Sequence, residues 1–419
     1  MTWSWPEERA QPSPDLQRDQ AALASDHAPE YHGLASGATC TAPPRPAQER
    51  DGCRRATDEG RPGRNTETED GDGRRRRNIE RDAGEGRRPP RLKERTAQRI
   101  ALESACKLFC HLASPLIAQD DLAALDALQW LRTGQEVDRR FGISQSSASR
   151  KCRQCFLVFG IDLQRRDGEW CVVGDTRLLQ KQRQVHQLAR WQGLRPLRLE
   201  ATYWSGPLLC TPAPPRWMLG LANIVGVARN FQLLRDRIVD AFVAGLPDLP
   251  PADDPDLTAI VLSSMPVFFV AQSEHPLVGL PNPTLEQIAR YPSLGLPEGA
   301  YPVVEQALRS LGLWNDPVRM RRYRRDLWEG RAESELTIGY GTPLSMEISG
   351  GELVRLPLNL PFRSGEAIVV RREYASHPEL LTLVGLLRQR LLRLAEHLPD
   401  LQVLPEAQAC GAPLPLEAG

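Results

Sequence analysis

The spacing of apolar and polar positions changes twice along the chain. Residues 1 to about 90 have almost no apolar periodicity and are rich in Pro, Gly, Arg, Asp and Glu, so they bury too little to offset chain entropy. Between residues 91 and 192 the apolar positions recur at helical spacing. From Pro196 onward short apolar runs alternate with helical segments, which is typical of an α/β domain.

These shifts predict five segments. A disordered tail over residues 1–90 precedes a helical domain over 91–174, with helices over 91–116 and 122–131. A linker helix occupies 175–194, and its apolar stripe includes Leu178, Val185 and Leu188. An α/β domain extends over 195–400, and residues 401–419 form a flexible tail.

The most informative local pattern is GQEVDRRFGISQSSASRKCRQCFLVFG, at residues 134–160. It predicts helices over 135–141 and 145–159, with Gly142 permitting positive φ between them and Ser144 capping the second helix. On that helix Ser149, Arg150 and Arg153 share one face. The opposite face carries the predicted core residues Cys152, Cys155, Phe156 and Phe159.

Short hydroxyl donors beside guanidinium groups suit a helix that lies in the major groove of DNA. Residues 163–173 fit a hairpin closed by Asp167-Gly168. Residues 122–200 hold 14 Lys and Arg against 8 Asp and Glu, a moderate basic excess of the kind that phosphates attract. The alternative is a solvated face on a structural three-helix bundle.

The order of these residues resembles the winged helix-turn-helix of the LysR-type transcriptional regulators. The motif opens with ISQ at 143–145, continues with the Ser149-Arg150 pair and Arg153, and ends with FGI at 159–161 and Arg166. SS at 146–147 stands where the family carries Pro-Ala. The resemblance implies DNA contacts by Gln145, Ser146, Ser147, Ser149, Arg150, Arg153, Arg165 and Arg166.

The α/β part extends the resemblance over about residues 120–400. DPDL at 254–257, PVFFVA at 266–271, HPL at 275–277, YP at 291–292 and GELVRLPL at 351–358 follow the order of LysR effector domains. The resemblance implies a mostly α winged helix-turn-helix, a linker helix and a two-lobed, periplasmic-binding-protein-like α/β effector domain. It also implies that the linker helix pairs with its twin in a dimer; the alternative is that the helix packs on its own domain.

In this family the effector meets the loop after the first strand and the start of a later helix. The matching positions are Thr202, Ser205, Gly299 and Tyr301. Unpaired N–H groups at a helix start suit a carboxylate or another anion, so we expect a small anionic effector. Aromatic side chains that either wall its cleft or pack on the surface are Tyr203, Trp204 and Trp217.

The α/β elements are predicted one by one from the pattern. Strands are expected over 197–203, 266–271, 336–340 and 366–370, and helices over 231–245, 284–291, 303–311 and 380–397. The helix over 231–245 is expected to end at Gly245. The LPDLPPADDPD that follows contains prolines that cannot supply a central ladder, so the first lobe is expected to be trimmed.

Enzymatic signatures are missing from the sequence: it contains no GxGxxG after a strand, no phosphate loop, no HExxH and no GxSxG. The SxxK match at 104–107 is short enough to arise by chance. The nine cysteines suit free thiols in a reducing cytoplasm. Cys152 and Cys155, with Cys106 and Cys110 of the preceding helix, are either small core residues or ligands of a metal site.

No run of apolar residues is long enough for a membrane span. We therefore expect a cytoplasmic, non-enzymatic regulator without a cofactor, which binds double-stranded DNA and a small-molecule effector as a homodimer or tetramer. Two alternatives remain open. One is a relative that acts as a protein-interaction scaffold without specific DNA binding, and the other is a solute-binding protein.

Overall fold

The computed structural model describes residues 117–405 except 167, 350 and 351. The predicted tail over 1–90, the helix over 91–116 with its SxxK match, Cys106 and Cys110, and residues 406–419 lie outside the described residues. Within 117–405, apart from those three positions, no helix has the length and hydropathy needed to cross a membrane.

Three helices and a hairpin form an N-terminal helical unit, and its second and third helices each begin at a side-chain cap. They are α1 (Gln119–Leu131), α2 (Gly134–Phe141), α3 (Gln145–Phe159), β1 (Ile161–Arg166) and β2 (Glu169–Gly174). The Thr133 side chain accepts from the backbone of Glu136, and the Ser144 hydroxyl accepts from Ser147 N at 3.3 Å. Gly142 has φ +63°, which ends α2 and confirms the predicted turn.

The linker helix α4 (Arg177–Trp191) leads into the first of two lobes. Its five-stranded sheet has the order β4-β3-β5-β12-β6, with β3 parallel to β4 and β5, and β12 antiparallel to β5 and β6. The strands are β3 (Leu197–Ala201), β4 (Trp217–Leu219), β5 (Ala241–Gly245), β6 (Leu257–Val261) and β12 (Glu366–Arg371). The helices of this lobe are α5 (Ser205–Leu209), α6 (Ala228–Arg235) and α11 (Pro378–Ala395).

The second lobe is built around a long antiparallel strand, β7, which pairs with β10, β11 and β13. Its strands are β7 (Ser263–Gln272), β8 (Leu294–Gly295), β9 (Asp316–Pro317), β10 (Gly339–Gly341), β11 (Leu353–Ser364) and β13 (Gln402–Val403). Its helices are α7 (Leu285–Ile288), α8 (Pro302–Ser310), α9 (Glu329–Ser334) and α10 (Pro343–Ser349). Residues 402–403, predicted within a flexible tail, are therefore a strand.

The predicted helix over 231–245 is wrong. Helix α6 ends at Arg235, Arg237 has φ +60°, and Ala241–Gly245 is strand β5 with every residue buried. The apolar spacing of residues 231–245 is compatible with one continuous helix, and it is equally compatible with a helix followed by a buried strand. Because β5 pairs with both β3 and β12, the first lobe keeps a central strand immediately before the proline-rich segment.

Two chain crossings join the lobes. Strand β6 passes through Leu262 into β7, and β11 passes through Gly365 into β12. A Cβ at Gly365 would lie 2.0 Å from the Ser263 carbonyl oxygen, so the two crossings touch where only glycine fits. Each lobe has its own apolar core, and the lobes are therefore separate packing units connected by paired strands.

Candidate functional site

Helix α3 separates a core face from an open face. Ala148, Cys152 and Cys155 are buried, and Phe159 is 7% exposed. Phe156, predicted on the core face, is half-buried. The helix has no acidic residue in its first turn, so the open face has no carboxylate there to repel a phosphate.

The predicted DNA contacts lie on that open face and on the hairpin. Gln145, Ser146, Arg150, Arg153, Arg165 and Arg166 are exposed, whereas Ser147 and Ser149 are half-buried. Arg150 Nη2 donates to Ser147 Oγ at 3.1 Å, which lays the guanidinium along the helix. The Arg165 guanidinium lies 5.8 Å from the Trp170 ring centroid. None of the eight side chains is buried in the core of the helical unit.

The hairpin is held on α1 by buried polar contacts. Trp170 Nε1 donates to the Arg132 carbonyl at 2.8 Å, and Gln129 Nε2 donates to the Trp170 carbonyl at 3.1 Å. Arg132 also pairs with Glu169. Burial lowers the pKa of Arg132 to about 9, with nearby Arg229 adding to the effect. These contacts fix the position of β1 and β2 beside α3.

Helix α4 joins the helical unit to the first lobe through charges that are almost completely buried. Arg183 Nε donates to Asp126 Oδ1 at 2.8 Å, and the two side chains are 2% and 1% exposed. Arg190 Nε donates to Asp240 Oδ2 at 2.7 Å. Because a buried charge without its partner is costly, these pairs hold α1, α4 and the first lobe together.

The apolar stripe of α4 divides into two faces. Leu179, Ala189 and Trp191 are 0%, 9% and 2% exposed and pack within the chain. Leu178, Val185 and Leu188 are 52%, 61% and 48% exposed. One face of the helix thus packs on its own chain, while a second apolar face remains open.

Direct contacts also join the helical unit to the first lobe. Trp130 Nε1 donates to Glu200 Oε2 at 2.7 Å, and Arg229 Nη2 donates to the carbonyls of Gln129 and Trp130 at 2.8 Å. Arg229 Nε donates to Glu169 of the hairpin at 2.6 Å. The helical unit and first lobe are consequently one connected structure.

A cavity of about 120 Å³ lies where the two lobes meet. Its first-lobe wall includes Tyr203, Trp204 and Gly245, and its second-lobe wall includes α8 and the aromatic residues Tyr301, Trp314, Trp328, Tyr340 and Phe362. A Cβ at Gly245 would lie 2.8 Å from Trp204 Cζ2, so glycine permits this indole to reach the cavity. The third aromatic candidate, Trp217, packs instead against Trp191 in the first-lobe core.

The predicted effector hydroxyls lie beside the cavity but are bonded internally. Thr202 and Ser205 are 2% and 0% exposed, and their hydroxyl oxygens are 2.6 Å apart. Ser205 Oγ donates to Glu366 Oε2, and Trp204 Nε1 donates to Glu366 Oε1 at 2.8 Å. Burial raises the pKa of Glu366 to about 7, although both hydrogen bonds lower it. The hydroxyl pair therefore already has a carboxylate partner.

The predicted helix start on the other side of the cavity is also occupied. Asp248 Oδ1 accepts from Val303 N at 2.7 Å, and Oδ2 accepts from Val304 N at 3.2 Å. Burial raises the pKa of Asp248 above its usual range, although these backbone donors lower it. Gly299 N donates to Glu305 Oε2 at 2.8 Å. Asp248 belongs to the proline-rich segment, which thus supplies a helix cap.

Tyr301 is the predicted effector residue that reaches the cavity wall. Its ring is 8% exposed, and burial raises the pKa of its hydroxyl to about 12. Gly299, Thr202 and Ser205 are not part of the cavity lining. Sequence reasoning missed Asp248 and Glu366, because a carboxylate in a loop or strand carries no local signal of the hydrogen bonds that it accepts.

A contact path runs from the cavity to the hairpin. Tyr203 stacks on Tyr323 with ring centroids 3.6 Å apart. Tyr323 belongs to the arginine segment, which we define as residues 319–325 and which holds Arg319, Arg321, Arg322, Arg324 and Arg325. Val225 N donates to the Arg321 carbonyl at 3.1 Å, and a Cβ at the hairpin residue Gly168 would lie 3.6 Å from Arg321 Nη1. The cavity wall and hairpin tip are thus neighbours of one segment.

The described part of the chain holds no cluster of three or more His, Cys, Asp or Glu side chains able to bind a metal ion. Cys152 and Cys155 are free and buried. Burial raises the pKa of Cys152 to about 12 and also raises that of Cys155. Their thiols are therefore protonated near neutral pH, as expected of small core residues.

The sequence of the two-lobed part identifies its family. Residues 224–392 match the family model described as LysR substrate binding domain. This match identifies a LysR-type substrate-binding domain within the chain. Its α/β part is accordingly a mixed α/β effector-binding domain of the LysR kind. A comparison with curated proteins gives no match.

Solved structures of LysR-type regulators resemble the chain at low sequence identity. A full-length OxyR variant from Pseudomonas aeruginosa is 16% identical, with 68% of this chain and 98% of that chain covered and a TM-score of 0.44. A reduced form of OxyR from N. meningitidis is 15% identical, with 50% and 99% covered and a TM-score of 0.39. Full-length CbnR, solved with its target DNA, is 14% identical, with 65% and 99% covered and a TM-score of 0.40.

Proposed function

We propose that this LysR-type protein is a cytoplasmic transcriptional regulator, not an enzyme. The N-terminal helical unit acts as a winged helix-turn-helix that binds double-stranded DNA, with α3 in the major groove and the β1–β2 hairpin as its wing. The observation that carries the proposal is the open face of α3. Its exposed Gln145, Ser146, Arg150 and Arg153 are the donors that read base edges and phosphates.

The effector-binding domain supplies the regulation in this proposal. A small molecule occupies the cavity between the lobes and favours one arrangement of the lobes over another, which requires different affinities for the two. The stack of Tyr203 on Tyr323, and the proximity of Arg321 to the hairpin tip, support a route from cavity to wing. The sequence by itself suggests an anionic effector.

We further propose that α4 forms a homodimer through its open face. Leu178, Val185 and Leu188 follow one another at intervals of seven and three residues, the spacing of a coiled-coil seam. Their exposure leaves this face available to a second copy. Because the opposite face of α4 is fixed to the first lobe, a dimer formed here would place two DNA-binding units in a defined relation.

The DNA-binding proposal is tested by mobility shift on the DNA upstream of the gene. The double variant Arg150→Ala/Arg153→Ala is compared with the wild type and with Arg309→Ala/Arg355→Ala, which removes two exposed second-lobe charges. We expect loss of specific binding only in the first variant. Unchanged affinity in that variant would favour the protein-interaction scaffold over a DNA-binding regulator.

The dimer proposal is tested by sedimentation. Leu178→Asp/Leu188→Asp is expected to give a folded monomer, because two charges would face an apolar seam. Leu381→Asp/Leu392→Asp is the matched control, since these α11 leucines are 53% and 56% exposed. An unaltered assembly in the α4 variant would place the interface elsewhere.

A further inference from the structure

We propose that the cavity selects an uncharged, mainly apolar molecule about the size of one aromatic ring, and that it rejects anions. This inference rests on the proposed function, because it names the class of effector held between the lobes. It replaces the anion suggested by the sequence. The reasons are the size of the cavity, its lining and the carboxylates around it.

The size of the cavity fits a small ring. Its volume is about 120 Å³, and an engineered apolar cavity of about 150 Å³ binds benzene. The wall is dominated by aromatic rings together with Val267, Leu296, Val304, Leu308 and Leu360. Such a surface favours apolar ligands, because burying an unpaired charge against it is costly.

The helix start and the hydroxyl pair that the sequence offered to an anion already have carboxylate partners. Both oxygens of Asp248 accept backbone N–H groups of α8, so the partial positive charge at that helix start faces an internal carboxylate. On the opposite side, the Ser205 hydroxyl and the Trp204 indole donate to Glu366. An anion entering the cavity would find those donors occupied.

The charges nearest the cavity have the wrong sign for an anion. Among the residues that the structure describes, the lining contains no Lys, Arg or His and includes the acidic Asp248. Glu366 is fully buried behind Ser205, and buried Glu329 accepts from Tyr323 at 2.6 Å behind the Tyr203 ring. Each of these carboxylates repels a negative ligand when ionised, and the low local dielectric strengthens that repulsion. A cation would exchange its hydration for carboxylates whose oxygens already have donors, so it too binds less well than an uncharged ring.

Three probes of nearly the same shape separate these possibilities. Nitrobenzene is uncharged, benzoate is an anion and benzamidinium is a cation. Calorimetry on the full chain at pH 8 is expected to show nitrobenzene binding at least tenfold more tightly than either charged probe. Tighter binding of benzoate or benzamidinium would overturn the proposal, and so would the absence of binding by all three probes.

Two variants place the binding in this cavity. Val304→Phe fills it from α8, whereas Val303→Phe adds the same ring at a neighbouring position that is 47% exposed and outside the lining. Nitrobenzene binding is expected to fall at least tenfold in the first and to stay within twofold in the second. Equal binding in both variants would place the ligand elsewhere. Circular dichroism and the thermal midpoint confirm that each variant is folded.

The origin of the anion rejection is tested by Glu366→Gln. This substitution keeps an acceptor for Trp204 and removes the charge, so the preference for nitrobenzene over benzoate is expected to shrink at pH 8. An unchanged preference would contradict the role given to this carboxylate. DNA binding is measured separately, by mobility shift without any probe. Loss of DNA binding in that assay would contradict the proposed regulator. The probe affinities test only the proposed class of ligand.

Discussion

The open face of α3 and the surroundings of the inter-lobe cavity both carry serine hydroxyls, but their partners differ. On α3, Ser144 and Ser146 face solvent and bond with residues a few positions away. Beside the cavity, Ser205 is fully buried and donates to Glu366, 161 positions along the chain. The first pair is exposed and bonded only to near neighbours, whereas Ser205 is buried against a carboxylate from a distant part of the chain. Hydroxyls in a sequence therefore indicate a binding surface only when the fold leaves them open.

The largest expected effect on stability is at the buried contact between α1 and α4. Asp126→Asn leaves the buried Arg183 guanidinium without its counter-charge, which costs about 3–5 kcal/mol for a buried pair. Asp120→Asn on the same helix is the control, because Asp120 and Arg195 are 64% and 56% exposed and such pairs contribute about 0–1 kcal/mol. Denaturant unfolding measures both. Equal losses would show that this contact is not a buried electrostatic one.

The burial of Glu366 beside the Thr202 and Ser205 hydroxyls predicts that the stability of the fold depends on pH. The pKa of Glu366 is raised from 4.5 to about 7 by burial, so the folded chain holds its proton more tightly than the unfolded chain. Its contribution makes the free energy of unfolding fall as pH rises through this interval, by about 3 kcal/mol. Glu366→Gln is expected to remove that fall, measured by denaturant unfolding from pH 4.5 to 8.

The control for this pH dependence is Glu373→Gln. Burial raises the pKa of Glu373, but hydrogen bonds from Arg237 and Arg371 lower it below its usual value. The stability that ionised Glu373 contributes is present above its unfolded pKa and is lost as pH falls. Glu373→Gln is therefore expected to change the pH dependence of unfolding in the direction opposite to that of Glu366→Gln. A Glu366→Gln profile parallel to that of the wild type would contradict the burial of the Glu366 carboxylate.

Arg150 tests whether the exposed face of α3 contacts DNA. Arg150→Ala is expected to weaken DNA binding by about 1–3 kcal/mol and, if the contact is to a phosphate, to lower the salt slope by about one. Arg150→Lys keeps the charge, so it retains the slope at a phosphate contact but loses affinity at a bidentate base contact. Fluorescence anisotropy at several salt concentrations measures both. A slope and affinity unchanged in both variants would remove Arg150 from the interface.

The smallest expected effect on stability concerns the two hairpin arginines, of which one packs on a tryptophan ring and the other lies on the surface. Arg165 lies over the Trp170 ring, so Arg165→Ala is expected to lower stability by about 0.5–1 kcal/mol as well as to weaken DNA binding. Arg166 donates to Gln164 on the surface at 3.2 Å, and Arg166→Ala is expected to affect DNA binding only. Thermal unfolding and anisotropy together check the pair. Equal stability changes would contradict the stacking contact.

The sequence by itself determined the features that depend on neighbours in the chain. The span of α3, its Ser144 cap and the positive φ of Gly142 agree with prediction, because caps and turns are decided within a few residues. The core spacing of Cys152, Cys155 and Phe159 is correct for the same reason. The LysR resemblance likewise rested on short motifs in order.

Tertiary structure decided what depended on distant residues. The segment AFVAG is a strand because β3 and β12 pair with it on either side, and its local pattern fitted a helix equally well. The hydroxyls of Thr202 and Ser205 are closed because Glu366 arrives from the far end of the domain. Asp248 caps α8 from a proline-rich loop 55 positions earlier. Hydrogen bonds and strand pairings over such separations are set by the path of the whole chain. The sequence therefore named Tyr203, Trp204 and Tyr301 of the cavity lining, but the carboxylate partners around the cavity were available only from the fold.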